Sequence, residues 1–97
     1  MLQETLSDEM KKEALDNMVK NLPMLRATCH LSQNDLAEML GMSRQTIVMI
    51  ENRKRPMCWN VFLALLFVFS QNCETAALIG PLKIYTQPLQ SVYRVIE

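Results

Sequence analysis

Four basic side chains lie within twelve consecutive residues of this sequence, with one acidic residue, Glu51, among them: Arg44, Arg53, Lys54 and Arg55. Guanidinium and ammonium groups bind phosphate oxygens, and an arginine can also form a pair of hydrogen bonds with guanine. The whole chain, however, has a formal net charge of zero and a pI of about 6.6. The sequence therefore predicts one basic end on a neutral molecule, with modest non-specific affinity for nucleic acid.

The sequence contains no arrangement of residues typical of an enzyme. His30 is the single histidine, no glycine-rich phosphate loop is present, and no nucleophile is spaced suitably from a base. The three cysteines, Cys29, Cys58 and Cys73, lack the spacing of a zinc site, and their odd number argues against a disulfide framework. We therefore expect a protein without catalytic activity, bound metal or cofactor, located in the reducing cytoplasm.

The most apolar stretch of the chain, residues 61–69, is too short to cross a membrane. It is nine residues long, whereas a membrane-spanning helix needs about 20. We interpret it as the centre of a buried helix and expect no membrane association. The 97 residues, 49% of them hydrophobic, are enough for one folded domain.

A short helix is predicted just before the basic residues. Ser32 is a good N-terminal cap, because its hydroxyl can accept a free N–H of the first turn. Leu36, Ala37 and Leu40 then recur on one helical face. Gly41 should end this helix, since glycine adopts the left-handed backbone that is common at helix C-termini.

A second short helix follows directly. Ser43 is its predicted cap, and Ile47 and Ile50 form its apolar stripe. It should end near Asn52, before Pro56 prevents any continuation. Two helices of about nine residues are not stable alone and must pack on each other. A helix pair joined by a tight glycine turn is the helix-turn-helix arrangement.

Residues 31–56 resemble the helix-turn-helix domain of the lambda-repressor/Cro family, also called the xenobiotic-response-element family. That family has roughly the pattern Leu-Ser-Gln, Leu-Ala, Gly-x-Ser and Ile-x-x-Ile-Glu-Asn-Gly-Lys-Arg-x-Pro. Here the pattern occurs as Leu31-Ser32-Gln33, Leu36-Ala37, Gly41-Met42-Ser43, Ile47 and Ile50-Glu51-Asn52-Arg53-Lys54-Arg55-Pro56. With the flanking helices, the resemblance covers about residues 15–79. It implies an all-α, lambda-repressor-like domain of five helices.

The resemblance also implies roles for individual side chains. The second helix of the motif, residues 43–52, would enter the major groove of double-stranded DNA. The side chains expected to contact base edges are Arg44, Gln45, Val48 and Met49. The residues expected to contact phosphates are Gln33, Ser43, Asn52, Arg53, Lys54 and Arg55.

A structural ion pair is implied as well. In the family, an arginine on the first helix commonly pairs with the glutamate at the end of the DNA-reading helix. These residues correspond to Arg26 and Glu51 here. Such a pair would tie the first helix of the domain to the helix that reads DNA.

The sequence departs from the family pattern at Arg53, where the family usually has glycine. If this position requires a positive φ, a non-glycine residue is strained by about 1 kcal/mol. Alternatively, Asn52 takes the left-handed conformation. In either case the substitution places one more cation beside the phosphates.

The chain divides into three predicted parts. Residues 1–20 form an amphipathic helical extension, residues 21–80 the helix-turn-helix domain, and residues 81–97 a C-terminal extension. We favour a helix break at Pro23 over a kinked continuous helix. Further helices are predicted at residues 59–70 and 75–79.

The C-terminal part is expected to contribute to dimerisation. The helix at residues 59–70 is apolar nearly all round, and Trp59 belongs either to the core or to a partner face. The alternation over residues 82–85 predicts a strand. Residues 86–88 resemble a helix start, and an apolar stripe follows at Leu89, Val92, Tyr93 and Ile96.

Two functions from different classes are consistent with these features. The first is a sequence-specific DNA-binding transcriptional regulator, acting as a repressor and a homodimer. The second is a protein-binding adapter, or an antitoxin, with the same fold. The neutral net charge and the apolar tail favour the adapter, whereas four clustered cations favour the DNA-binding protein.

Overall fold

A computed structural model describes residues 8–84, and five helices make up the regular structure of these residues. In chain order they are α1 (Asp8–Thr28), α2 (Gln33–Leu40), α3 (Arg44–Glu51), α4 (Trp59–Ser70) and α5 (Cys73–Ile79). The described residues contain no strand, so the predicted all-α fold is confirmed. The predictions for residues 86–96 lie outside the described residues, as does the start of the N-terminal extension.

The predicted helix break at Pro23 is wrong, because α1 runs without interruption through this residue. Proline inside a helix costs about 3 kcal/mol. On either side of it, however, Met18, Leu22 and Leu25 are fully buried on one face. Each such side chain contributes about 1.5–3 kcal/mol when buried, which together exceeds the cost of the proline. Pro23 itself is exposed. The helix therefore crosses the predicted boundary between residues 20 and 21.

The core lies between α1, α2, α4 and α5, and α3 packs against α1 and α2. This arrangement leaves the side of α3 that faces away from the core open to solvent. All five helices contribute buried side chains: Ala14, Met18, Leu22, Leu25, Leu36, Ala37, Ile47, Ile50, Phe62, Leu65, Leu66, Phe69, Thr75 and Ile79.

Helix α4 is buried on one side and only partly covered on the other. Its N-cap residue, Cys58, makes no side-chain capping bond. Trp59 is half-buried and stacks on Phe62, with 4.7 Å between ring centroids, and the Lys11 ammonium lies 5.4 Å from its ring centroid. Phe67, by contrast, is 57% exposed.

The chain after α5 forms a turn, so the strand predicted for residues 82–85 is wrong for residues 82–84. The N–H of Leu82 donates to the carbonyl of Leu78, and the N–H of Ile84 donates to that of Ile79. Lys83 has a φ of 59°, which reverses the chain direction and brings Ile84 into the core. Burial of Ile84 thus stabilises the turn more than the alternating sequence pattern favours an extended backbone.

The start of α5 lies two residues before the predicted position at Thr75. The side chain of Asn72 accepts hydrogen bonds from the N–H groups of Glu74 and Thr75, and so caps the first turn.

Among the described helices, none is both long and apolar enough to span a bilayer.

Candidate nucleic-acid interface

The helix pair α2–α3 is fixed at its start by a reciprocal cap. Asp35 N–H donates to Ser32 Oγ at 2.9 Å, and Ser32 N–H donates to Asp35 Oδ2 at 3.0 Å. These hydrogen bonds from the Ser32 backbone and side chain hold the pKa of the Asp35 carboxyl below its usual value of 3.8. Helix α2 therefore begins directly after Ser32, the predicted N-terminal cap, and the two residues form a capping box.

The turn between the two helices depends on Gly41, which has a φ of 68°. Met42 N–H donates to the Ala37 carbonyl at 2.9 Å, and Gly41 N–H donates to that of Glu38 at 3.3 Å. This pair of bonds is a Schellman motif, which needs one residue in the left-handed region. The motif brings the chain directly to Ser43, whose hydroxyl caps α3 by accepting from Thr46 N–H at 3.2 Å.

The two faces of α3 differ sharply in their surroundings. Ile47 and Ile50 are buried in the core. Arg44 and Gln45, in the first turn, are exposed. Val48 and Met49 are half-buried beside them. The four side chains predicted to contact bases are thus not part of the buried core, and the two polar ones are free to reach a ligand.

A second Schellman motif ends α3, and Arg53 occupies its left-handed position. Its φ is 59°, whereas that of Asn52 is −89°. Lys54 N–H donates to the Met49 carbonyl at 2.8 Å, and Arg53 N–H donates to that of Ile50 at 3.1 Å. Of the two alternatives raised by the missing glycine, the structure has the strained arginine. Lys54 and Arg55 follow it and are exposed.

Arg26 and Glu51 form the expected ion pair between α1 and α3. Arg26 Nε donates to Glu51 Oε2 at 2.9 Å, and Nη2 donates to Oε1 at 3.3 Å. Their side chains are 18% and 7% exposed. Arg26 Nη1 also donates to the Leu31 carbonyl at 3.0 Å, which ties down the loop before α2. The guanidinium thus fixes α3 relative to α1.

Gln33 extends this network in a way that its sequence position did not suggest. Its Nε2 donates to Glu51 Oε1 at 3.0 Å. The side chain that the family resemblance assigns to a phosphate is therefore engaged inside the protein. The Gln33 side chain thus joins the start of α2 to the end of α3.

The four clustered cations are not equivalent. Arg53 Nη1 donates to Asp16 Oδ1 of α1 at 2.9 Å, and both side chains are largely exposed. Among the described residues, Arg44, Lys54 and Arg55 have no ion-pair partner. Sequence reasoning missed Asp16, because it lies 37 residues before Arg53 and no local pattern connects the two.

The remaining candidate chemistry is sparse in the part of the chain that the structure describes. No group of three His, Cys, Asp or Glu side chains there is arranged to hold a metal ion. Cys29, Cys58 and Cys73 are free thiols, and His30 is exposed at the end of α1 with a φ of 58°.

Residues 24–56 match a family model described as helix-turn-helix. The matched segment runs from the last turns of α1 to Pro56, which follows the basic loop of Arg53, Lys54 and Arg55. No curated protein and no solved structure matches the chain. The matching family consists of DNA-binding regulators, which are not typically enzymes. Residues 24–56 therefore match a helix-turn-helix of the lambda-repressor type, as the sequence indicated.

Proposed function

We propose that this protein is a sequence-specific transcriptional regulator that inserts α3 into the major groove of double-stranded DNA. The observation that carries the proposal is the orientation of α3. Its apolar face is buried through Ile47 and Ile50, while Arg44 and Gln45 are exposed in its first turn. The N-terminal part of a recognition helix is the part that meets base edges.

Four side chains of α3 would read the sequence. Arg44 can donate two hydrogen bonds to guanine O6 and N7, and Gln45 can pair with adenine N6 and N7. Val48 and Met49, half-buried on the same helix, offer apolar surface to thymine methyl groups. Each bidentate pair discriminates between bases by about 1–3 kcal/mol.

Phosphate contacts would set the register of α3 in the groove without reading sequence. Ser43 and Asn52 border α3, and Arg53, Lys54 and Arg55 follow it. Gln33 is the first residue of α2, so its backbone N–H has no partner within the helix. That N–H, together with the second hydrogen of its amide, can still bind a phosphate oxygen while the first hydrogen remains on Glu51.

We propose further that the protein is a homodimer and a repressor. One such module contacts few base pairs, and a two-fold dimer reads two half-sites about one helical turn apart. The exposed Phe67 on α4, beside half-buried Leu63 and Val68, supplies apolar surface for a second copy.

The free thiols support a reducing compartment such as the cytoplasm.

The test of DNA reading is selection of bound duplexes from a random pool at near-physiological salt. We expect a palindrome to be enriched. On the selected site, Arg44→Ala should lose discrimination at one base position. Lys54→Ala should instead weaken binding to every sequence alike and lower the salt slope by about one. Identical behaviour of the two variants would contradict the assigned roles.

The dimer is tested by sedimentation of the full-length protein with Phe67→Gln. Met39→Gln is the matched control, because Met39 is exposed to the same degree (56% against 57%) but lies on α2. We expect Phe67→Gln to shift the protein toward monomer and Met39→Gln to leave it unchanged. Equal behaviour of both variants would contradict the α4 interface.

The adapter or antitoxin function is the outcome if no duplex is enriched while the protein remains folded and dimeric. In that case a protein partner, bound through the same fold, would replace DNA. Three exposed cations have no ion-pair partner among the described residues: Arg44, Lys54 and Arg55. They favour DNA as the ligand, since an adapter does not require them.

A further inference from the structure

The ion pair between Asp16 and Arg53 joins a helix outside the recognition motif to a residue inside it. Arg53 Nη1 lies 2.9 Å from Asp16 Oδ1, and the two side chains are 53% and 60% exposed. Lys54 and Arg55, the next two residues, have no carboxylate partner among the described residues. Of Arg53, Lys54 and Arg55, only Arg53 has an ion-pair partner among the described residues.

The backbone of Arg53 is held in place independently of this pair. Its left-handed φ of 59° and the two Schellman hydrogen bonds at the end of α3 fix the position of its Cα. The side chain is therefore the part that can move when another anion approaches. An ion pair so exposed contributes little to stability and opens readily.

A carboxylate and a DNA phosphate bind the same guanidinium groups. While Arg53 is paired with Asp16, one of its five N–H groups is occupied and part of its positive charge is offset. A phosphate near Arg53 also meets the negative charge of Asp16, whose side chain is itself exposed to solvent. Both effects weaken phosphate binding at this position.

We propose that Asp16 competes with the DNA backbone for Arg53 and thereby sets how tightly the protein binds DNA, without altering which sequence it prefers. This inference rests on the proposed function. Phosphate contacts carry no sequence information, so removal of the competitor should tighten binding to all duplexes in equal proportion.

The expected effect follows from the exposure of the pair. Asp16→Asn keeps the shape of the side chain and removes its charge. Because exposed pairs are weak, we expect a decrease in Kd of about two- to fivefold at low salt. The released cation adds a phosphate contact, which should steepen the slope of log K against log salt by up to about one.

The experiment measures the Kd of the full-length protein for a fluorescent duplex, by anisotropy at several salt concentrations. The variants are Asp16→Asn, Arg53→Gln and the double variant. Glu9→Gln is the matched control, because it removes one exposed carboxylate from the same helix without touching Arg53. Circular dichroism verifies that each variant is folded.

We expect Asp16→Asn to bind more tightly than wild type, Glu9→Gln to match wild type, and Asp16→Asn to tighten binding much less in the Arg53→Gln background than in wild type. Equal tightening by Asp16→Asn in the two backgrounds would overturn the inference, as would equal binding by Asp16→Asn and Glu9→Gln. Both of these results leave the proposed function intact. Failure of wild type and every variant to bind DNA overturns the proposed function and the inference together.

Discussion

Replacement of Arg26 by methionine should destabilise the protein strongly. Arg26 makes two hydrogen bonds to Glu51 and one to the Leu31 carbonyl, so it joins α1, the following loop and α3. Without it, the Glu51 carboxylate, 7% exposed, has only Gln33 as a partner among the described residues. Methionine retains the apolar stem of the side chain, so the change isolates the polar contacts.

The magnitude follows from the burial of the pair. Removal of one partner of a buried ion pair costs about 3–5 kcal/mol. Because the Arg26 side chain is 18% exposed and Gln33 still donates to Glu51, we expect a loss at the lower end, about 3 kcal/mol. A domain of this size has about 5–15 kcal/mol of total stability, and each kcal/mol moves Tm by about 4–8 °C. Tm should therefore fall by about 12–24 °C.

The assay is urea unfolding followed by circular dichroism, with Arg53→Met as the matched control. Arg53 also pairs with a carboxylate at 2.9 Å, but this pair is exposed, and its loss should cost under about 1 kcal/mol. The double variant Arg26→Met, Glu51→Met should recover most of the stability, since no unpaired charge is left buried. Equal losses for Arg26→Met and Arg53→Met would refute the reasoning, because burial would then have no effect.

Three further predictions concern the ends of the helices. Gly41→Ala should destabilise the protein by about 1 kcal/mol in urea unfolding, because the φ of +68° strains any residue with a Cβ even though the Cβ itself has room. Gly80→Ala is the control: its Cβ has equal room and its φ is helical, so the change should be neutral or stabilise the protein by about 0.4–1 kcal/mol. Equal effects of the two substitutions would contradict this prediction. Ser32→Ala should cost about 1 kcal/mol in the same assay through loss of the α2 cap, and an unchanged midpoint would show that the cap contributes nothing. Because the pKa of Asp35 is lower in the folded protein, its ionised carboxylate stabilises the fold fully above about pH 3.8, and this stabilisation is lost as the pH falls through the lower folded pKa. Over this pH range the urea midpoint should therefore fall more steeply for wild type than for Asp35→Asn. Parallel curves would show that Asp35 does not contribute to the pH dependence of stability.

The core of the recognition motif was predictable because it depends on local rules. Leu36, Ala37, Ile47 and Ile50 recur at helical spacing, and all four are buried as that spacing requires. Gly41 has the positive φ that its place between two short helices predicted. Local patterning was sufficient because both helices lie directly against one core.

The errors arose where distant packing overrode a local preference. Proline disfavours a helix interior, but burial of α1 on both sides of Pro23 outweighs this cost. The alternation at residues 82–84 favoured a strand, yet burial of Ile84 requires a turn at Lys83. No local rule could supply these contacts.

The surroundings of the candidate interface were also only partly predictable. Family resemblance supplied Arg26 and Glu51, but neither the Gln33–Glu51 bond nor the Asp16–Arg53 pair follows from spacing.

Positive φ values occur at His30, Arg53 and Lys83 as well as at Gly41, each at a turn after a helix. Glycine therefore marks only one of the four left-handed positions among the described residues.

The most direct test of the central claim is an NMR titration of isotope-labelled full-length protein with a short mixed-sequence duplex at low salt. If α3 and the basic loop form the DNA interface, the largest amide shift changes will occur at residues 44–49 and 53–55, with residues 63–68 little affected. Changes centred on residues 63–68, with 44–55 unmoved, would contradict the account, as would the absence of any change.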